Sequence, residues 1–212
     1  LLVALGGGAF GGCAFGDVTL AQPRRSDVTT GSKRGEGREI AIARPFATRR
    51  TEHRCGMKKN GYNMDTANVF CDGSPEIVLP DLISRELLAT GFVVTRKPPG
   101  PSTIVLGGIV EQVFLEPKLD YFSTTFETDI GLTLTAKTAT GLSASRRFYV
   151  KGEEATFFAS LEDMQRSFDS AARQLVTAVV GAVANLADQL PPPAPAEPPS
   201  APDDAPIVLP AP

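Results

Sequence analysis

The chain has 212 residues, enough for one ordinary domain plus tails, and 42% of them are hydrophobic, so a buried core can form. Its net charge of -3 argues against a nucleic-acid binder, which would carry a basic patch. The single His leaves little for acid–base chemistry near neutral pH, and the chain has no Trp.

Residues 1–12 form an apolar, small-residue run that ends Phe10-Gly11-Gly12-Cys13. The run is too short for a bilayer span of about 20 helical residues, and its length suits the apolar core of a signal peptide. The ending resembles a lipobox: small residues admit the backbone to the signal peptidase, and the Cys13 thiol takes the acyl chains. That resemblance implies a mature protein that begins at Cys13, lipidated and palmitate-bearing, on a membrane surface. Ala14 stands where Asp would signal inner-membrane retention, so the expected location is the outer membrane, facing the periplasm. Gly6-Gly7-Gly8-Ala9-Phe10-Gly11 fits the dinucleotide-binding glycine pattern only formally, because no strand precedes it.

The expected organisation is a partial signal peptide at 1–12, a lipidated Cys and flexible tether at 13–38, a folded domain at 39–190 and a disordered Pro-rich tail at 191–212. The tether reading rests on Pro23-Arg24-Arg25-Ser26 and the Gly-rich stretch Gly31 to Gly37, which lack periodicity. Ile40 and Ile42 place a first strand before Pro45. Residues 47–73 read as a long polar loop, either holding a small hairpin or serving a function. Pro75 to Thr90 reads as a helix, with Pro80 in its first turn, Ile83, Leu87 and Leu88 on one face, and Gly91 as its stop. A short strand follows at Phe92 to Arg96.

Three longer strands come next: Thr103 to Glu116, Thr125 to Lys137 and Ser143 to Lys151. They form an antiparallel meander with one buried face. Gly107-Gly108 marks either a bulge or close packing under a helix. Ser160-Leu161-Glu162-Asp163 fits a capping box. Met164, Phe168, Ala171, Leu175, Val179, Val183, Leu186 and Leu190 then recur at helical spacing until Pro191. The expected fold is α+β: a two-layer sandwich with a mainly antiparallel sheet of about four to five strands against two helices, one of them long and C-terminal. The Pro/Ala-rich tail cannot bury enough to fold.

Cys13 would be consumed by lipid, which leaves Cys55 and Cys71 as an even pair for a disulfide in an oxidising compartment. His53, Cys55 and Cys71 give at most three metal ligands without paired spacing, so no metal is expected. No cofactor and no catalytic residues are expected either: nucleophile-elbow, phosphate-loop and zinc-protease patterns are all missing. A triad would have to recruit His53 from beside Arg49, Arg50 and Arg54. Glu153 and Glu154 are adjacent on a strand and point to opposite faces.

The order of elements, with Ile40-Ala-Ile-Ala-Arg-Pro-Phe46, Leu79-Pro-Asp-Leu-Ile-Ser-Arg-Glu-Leu-Leu-Ala-Thr-Gly-Phe92 and Phe148-Tyr-Val-Lys-Gly152, resembles the YajG-like outer-membrane lipoproteins over residues 39–190. The resemblance implies an α/β sandwich and no catalytic residues. It fits a non-enzymatic binding or assembly module anchored to the membrane, with an envelope protein as partner. The alternative is an auxiliary lipid- or ligand-handling lipoprotein of an ABC-type transport system, with an acyl chain held between the long helix and the meander. The cysteine-bearing loop and the Pro-rich tail depart from the family pattern.

Overall fold

The structure is a computed structural model, and it describes residues 16–24 and 35–190. Cys13 and the Pro-rich tail lie outside the described residues. Three long strands carry the architecture. β7 (Ile104–Leu119), β8 (Thr124–Lys137) and β9 (Ser143–Thr156) form the antiparallel meander, with β8 in the middle. Along β8, Phe126, Ile130, Leu132 and Leu134 are buried, with Thr125, Glu127, Thr133 and Thr135 alternating between them on the opposite, polar face. Period-two patterning of this kind is what one covered and one wet face require.

The sheet is larger than the sequence suggests. It has nine strands among the described residues rather than four to five, because the second edge of β7 is lined by short pieces. β2 (Glu39–Ile42), β3 (Ala47–Thr48) and β4 (Gly56–Lys59) meet that edge in succession, all parallel to it. β6 (Val93–Thr95) extends β2, again in parallel. The polar stretch 47–73 contains the hairpin of β4 and β5 (Asp65–Cys71). β1 (Val18–Leu20) adds to β5 in parallel, and Leu20 is buried.

β1 corrects the reading of 13–38 as a flexible tether throughout. The segment after it is also fastened. The Gln165 side-chain amide accepts from the Ala21 N–H (2.9 Å) and donates to the Ala21 carbonyl (3.2 Å). Both main-chain polar groups of Ala21 are therefore satisfied by one helical side chain.

α2 (Leu161–Ala187) lies across β8 and β9 and touches α1 and β1. Its start is the capping box: the Ser160 side chain accepts from the Asp163 N–H, and Asp163 accepts from the Ser160 N–H at 2.9 Å. Phe168, Ala171, Leu175, Val179 and Val183 are buried beneath it, while Leu186 and Leu190 are only partly covered. α2 also has the length and apolar composition of a membrane span, and half of its most apolar window is buried in the fold. Gly152 lets it approach the sheet. A Cβ there would lie 2.1 Å from the Ser167 carbonyl oxygen and 2.5 Å from the Ala171 nitrogen, so any side chain would push the helix off. Gly108 plays a similar part against the Phe46 ring, 2.6 Å from where its Cβ would lie, and not against a helix. The bulge in β7 falls at Glu111, between Val110 and Gln112.

α1 (Pro75–Ala89) packs beside α2. Here Pro75 fills the first turn, where its missing N–H costs nothing, and Pro80 lies inside the helix. Ile83 and Leu87 are buried, but Leu88 is exposed, so the expected three-residue face is two residues wide. Gly91 takes a left-handed conformation (φ 91°) and turns the chain into β6.

Candidate binding cleft

Pro80 has a consequence one turn back. It has no N–H to give the Glu76 carbonyl, four residues earlier. That carbonyl instead accepts the Phe46 N–H at 2.9 Å. The bond fastens the chain after β2 to the side of α1, and it brings Arg44 against Asp81 and Ser84. The Arg44 guanidinium pairs with Asp81 and donates to Ser84 Oγ, which itself donates to the Pro80 carbonyl at 2.6 Å. Arg44 is thereby fixed in position on an otherwise open surface.

Around it lies a cleft of about 580 Å³, lined by Ile42, Arg44, Asp81, Ser84, Arg85, Leu88, Val94, Thr95 and Arg96. Its chemistry is two-part. Ile42, Leu88 and Val94 are apolar, and three guanidiniums outnumber the one carboxylate, Asp81. A volume in this range suits a small ligand or a peptide segment, and an excess of positive charge favours an anionic one.

A second cavity, about 350 Å³, lies at the start of α1 between Thr48, Arg50, Glu52, His53, Ser74 and Glu76. Arg50 is committed to structure there: it donates to the Arg54 carbonyl at 2.8 Å. Burial pulls its pKa down, opposed by Glu76 and Glu52. Glu52 binds Arg54 at 2.6 Å, and the hydrogen bond lowers the carboxyl's pKa. His53 is exposed. The groove between α1 and α2, lined by Leu82, Glu86, Ala172 and Val176 among others, has room for about 40 Å³. That is about one water's share of liquid volume, ~30 Å³.

The sequence-level candidates fall as follows. Cys55 and Cys71 are joined by a disulfide with Cα atoms 5.7 Å apart, linking the residue before β4 to the end of β5. Among the described residues, no group of three or more His, Cys, Asp or Glu is placed to hold a metal ion. Glu154 binds Arg166 on α2 at 2.8 Å, whereas Glu153 is exposed, so the two carboxylates do not converge. Asp81 on α1 is a partner of Arg44. Both Arg146 and Arg147 are exposed, with Arg146 stacked over the Phe148 ring at 5.3 Å. The cleft around Arg44 was not visible in the sequence, because its residues come from β2, α1 and β6 and from the chain just after β2 and β6.

No protein-family model and no curated protein matches the sequence. Among solved structures, the fold resembles that of a Xanthomonas campestris protein of the family-model DUF330. The TM-score is 0.60 at 14% identity, over 81% of this chain and 97% of that one. The likeness is one of fold. Fainter similarities, with TM-scores of 0.39 and 0.34, reach a minor lipoprotein from Acinetobacter baumannii and a lipoprotein from Neisseria meningitidis. Each is 12% identical, over 75% and 69% of this chain respectively and 98% of its own length.

Proposed function

We propose that the chain is a lipoprotein anchored through Cys13 to the outer membrane, facing the periplasm, and that it acts as a non-catalytic binding module for another envelope component. The lipobox, the YajG-like sequence pattern and the Cys55–Cys71 disulfide support the address, since disulfides persist in oxidising compartments. The cleft of Arg44, Arg85 and Arg96 over Ile42, Leu88 and Val94 carries the binding reading. Its occupant is an acidic, partly apolar segment of a partner protein. A photoreactive residue at Leu88, in intact envelopes, is expected to crosslink one defined protein. The double substitution Arg85→Glu and Arg96→Glu, both at exposed positions, is expected to abolish that product with the fold intact by circular dichroism. An absence of any protein crosslink from Leu88 overturns the reading.

The second reading is an amphiphile with an anionic head, as in a lipid-handling auxiliary of a transport system. The apolar lining of the same cleft favours it. A groove between α2 and the meander does not serve this purpose, because Gly152 brings the two backbones into contact. Native mass spectrometry of the purified protein decides the matter: co-purified lipid, lost on the double substitution, supports this reading, and an empty cleft refutes it.

A further inference from the structure

One end of the meander carries six large apolar side chains on its surface. Tyr121 and Phe122 lie in the turn between β7 and β8, Phe157 and Phe158 in the loop between β9 and α2, and Tyr62 and Met64 in the turn between β4 and β5. They range from 56% exposed (Met64) to 92% (Tyr121). Strand register brings the three loops to the same end. Thr124 pairs with Thr156, so the first two loops adjoin. β4 runs parallel to β7 with Gly56 opposite Leu115, and Lys59 pairs with Glu116, which carries the third turn to the same level. Tyr121 and Phe122 stack edge-on, with centroids 4.6 Å apart.

The chain enters the fold from this end. β5 runs back from its turn, with Val69 opposite Gly56, and β1 runs parallel to β5, with Val18 opposite Val69. β1 therefore points away from the aromatic end, and what precedes it comes from that end. Lys58 Nζ holds the Gly16 carbonyl at 2.9 Å. Cys13 is three residues before Gly16, and three residues span at most about 11 Å. A lipid on Cys13 therefore holds Gly16 within about that distance of the bilayer.

We infer that the aromatic end is a membrane-contact surface. Tyr121, Phe122, Phe157 and Phe158 occupy the headgroup–acyl boundary of the bilayer to which the chain is anchored, an inference that rests on the acylation of Cys13. Aromatic rings favour that boundary, and exposed apolar patches of this extent mark interaction sites. The chemistry fits a neutral lipid surface. Asp120 and Glu162 lie near the rings in sequence, and the cations at this end are engaged: Lys59 with Glu116, Lys118 with Glu127, Arg166 with Glu154, Glu162 and Asp163, and Lys58 with the Gly16 carbonyl. The acyl chains hold the protein, and the rings set its orientation. α2 starts at the membrane and ends away from it, which puts Leu190 on the far side.

The chain has no Trp, so a single introduced indole reports alone. The full acylated chain carrying Phe122→Trp or Phe158→Trp is placed in phosphatidylcholine vesicles with brominated acyl chains. The expected result is a blue shift and at least a roughly twofold loss of emission relative to unbrominated vesicles, as for a ring buried at the interface. Leu142→Trp, in the opposite turn, is expected to change in neither respect. Vesicle-bound, acylated protein in which the indole of the Phe122→Trp or Phe158→Trp variant emits as in water overturns the inference while leaving the anchor intact. So does a photocrosslink from position 158 that lands on a protein and not on lipid. Mass spectrometry of Cys13 tests the anchor separately, since an unmodified thiol there removes the premise.

Discussion

The two ends of the meander are built on the same strands and turn the chain by different means. At one end, Thr138-Ala139-Thr140-Gly141-Leu142 closes β8 onto β9 with four small or polar residues and one Leu, through a Thr138 N–H to Leu142 carbonyl bond of 2.9 Å, and Gly141 supplies the positive φ (87°). At the other, Asp120-Tyr121-Phe122-Ser123 closes β7 onto β8, with an Asp120 N–H to Ser123 carbonyl bond of 2.9 Å and two rings in solvent. The first turn demonstrates that this sheet can be closed cheaply. Aromatic side chains at the second therefore contribute nothing that folding requires. The same holds for Phe157 and Phe158, which precede the Ser160 cap without entering the core.

The largest expected effect separates a buried ring from the exposed ones at the same end. Phe126 lies three residues past the exposed turn but faces α2 and is 1% exposed. Phe126→Ala is expected to cost about 3–5 kcal/mol in urea unfolding, the usual range for deleting a core ring. A cost below about 1 kcal/mol would mean that the aromatic end is loosely packed throughout. Next comes the disulfide, which ties down the hairpin carrying Tyr62 and Met64. It closes a separation of 16 residues, and in the chain-entropy model its reduction costs about 3 kcal/mol. Unfolding with and without reductant measures this, and an unchanged midpoint would show the hairpin held by its strand pairing alone.

A smaller effect lies on the polar face near the same end. Glu127 accepts from Lys118 and Lys151, each at 2.6 Å, across three strands. Those hydrogen bonds, Lys118 first, hold its carboxyl below the ordinary value of 4.5. Unfolding releases both lysines, so the unfolded chain binds the proton more readily. The stabilisation is whole above about pH 4.5 and is lost as pH falls through the lower, folded value. Glu127→Gln is expected to lower stability slightly at neutral pH, where the ionised carboxylate contributes, and to flatten the acid limb, so that variant and parent converge at low pH. An acid limb identical to the parent's would show that the ladder is screened out by solvent.

Much of this architecture was legible in the sequence because long elements carry many repeats of their own period. The stripe from Met164 to Val183 and the alternation along β8 each read correctly, and Ser160 to Asp163 announced the cap. The short strands had no such signal. Two to four residues cannot display a period, and β2, β3 and β4 are strands because β7 is long enough to offer them an edge. β1 was hidden for a related reason: its partner is about fifty residues away, and its neighbours look like linker. Pro80 misled because sequence rules place proline in first turns, whereas here an outside donor, the Phe46 N–H, takes the carbonyl it frees. For the cleft, no window of sequence holds Arg44, Arg85 and Arg96 together. The aromatic end was partly legible: paired rings at 121–122 and at 157–158, in segments that otherwise read as turns, are a visible anomaly.

The smallest expected effect is the one on which the comparison of the two ends depends. Phe122→Ser with Phe158→Ser removes two rings that are 78% and 88% exposed. Surface changes away from caps, buried networks and strained backbone stay within about 0.5 kcal/mol. Neither ring is part of the Asp120–Ser123 closure or of the capping box, so the double variant is expected to unfold within that margin of the parent. Its solubility should rise, because an exposed apolar patch is also an aggregation hazard. A loss of about 2 kcal/mol or more would make the rings folding elements and erase the distinction between the ends. Near-neutral stability together with reduced attachment of the acylated protein in its upright orientation, read by quenching at the remaining tip position, would locate their role outside folding. Thr138 to Leu142 supplies the internal control: placing that loop, closed by its Thr138 N–H to Leu142 carbonyl bond, between Leu119 and Thr124 should preserve the meander, because the register of β7 and β8 is set by their buried faces and not by the residues at the bend.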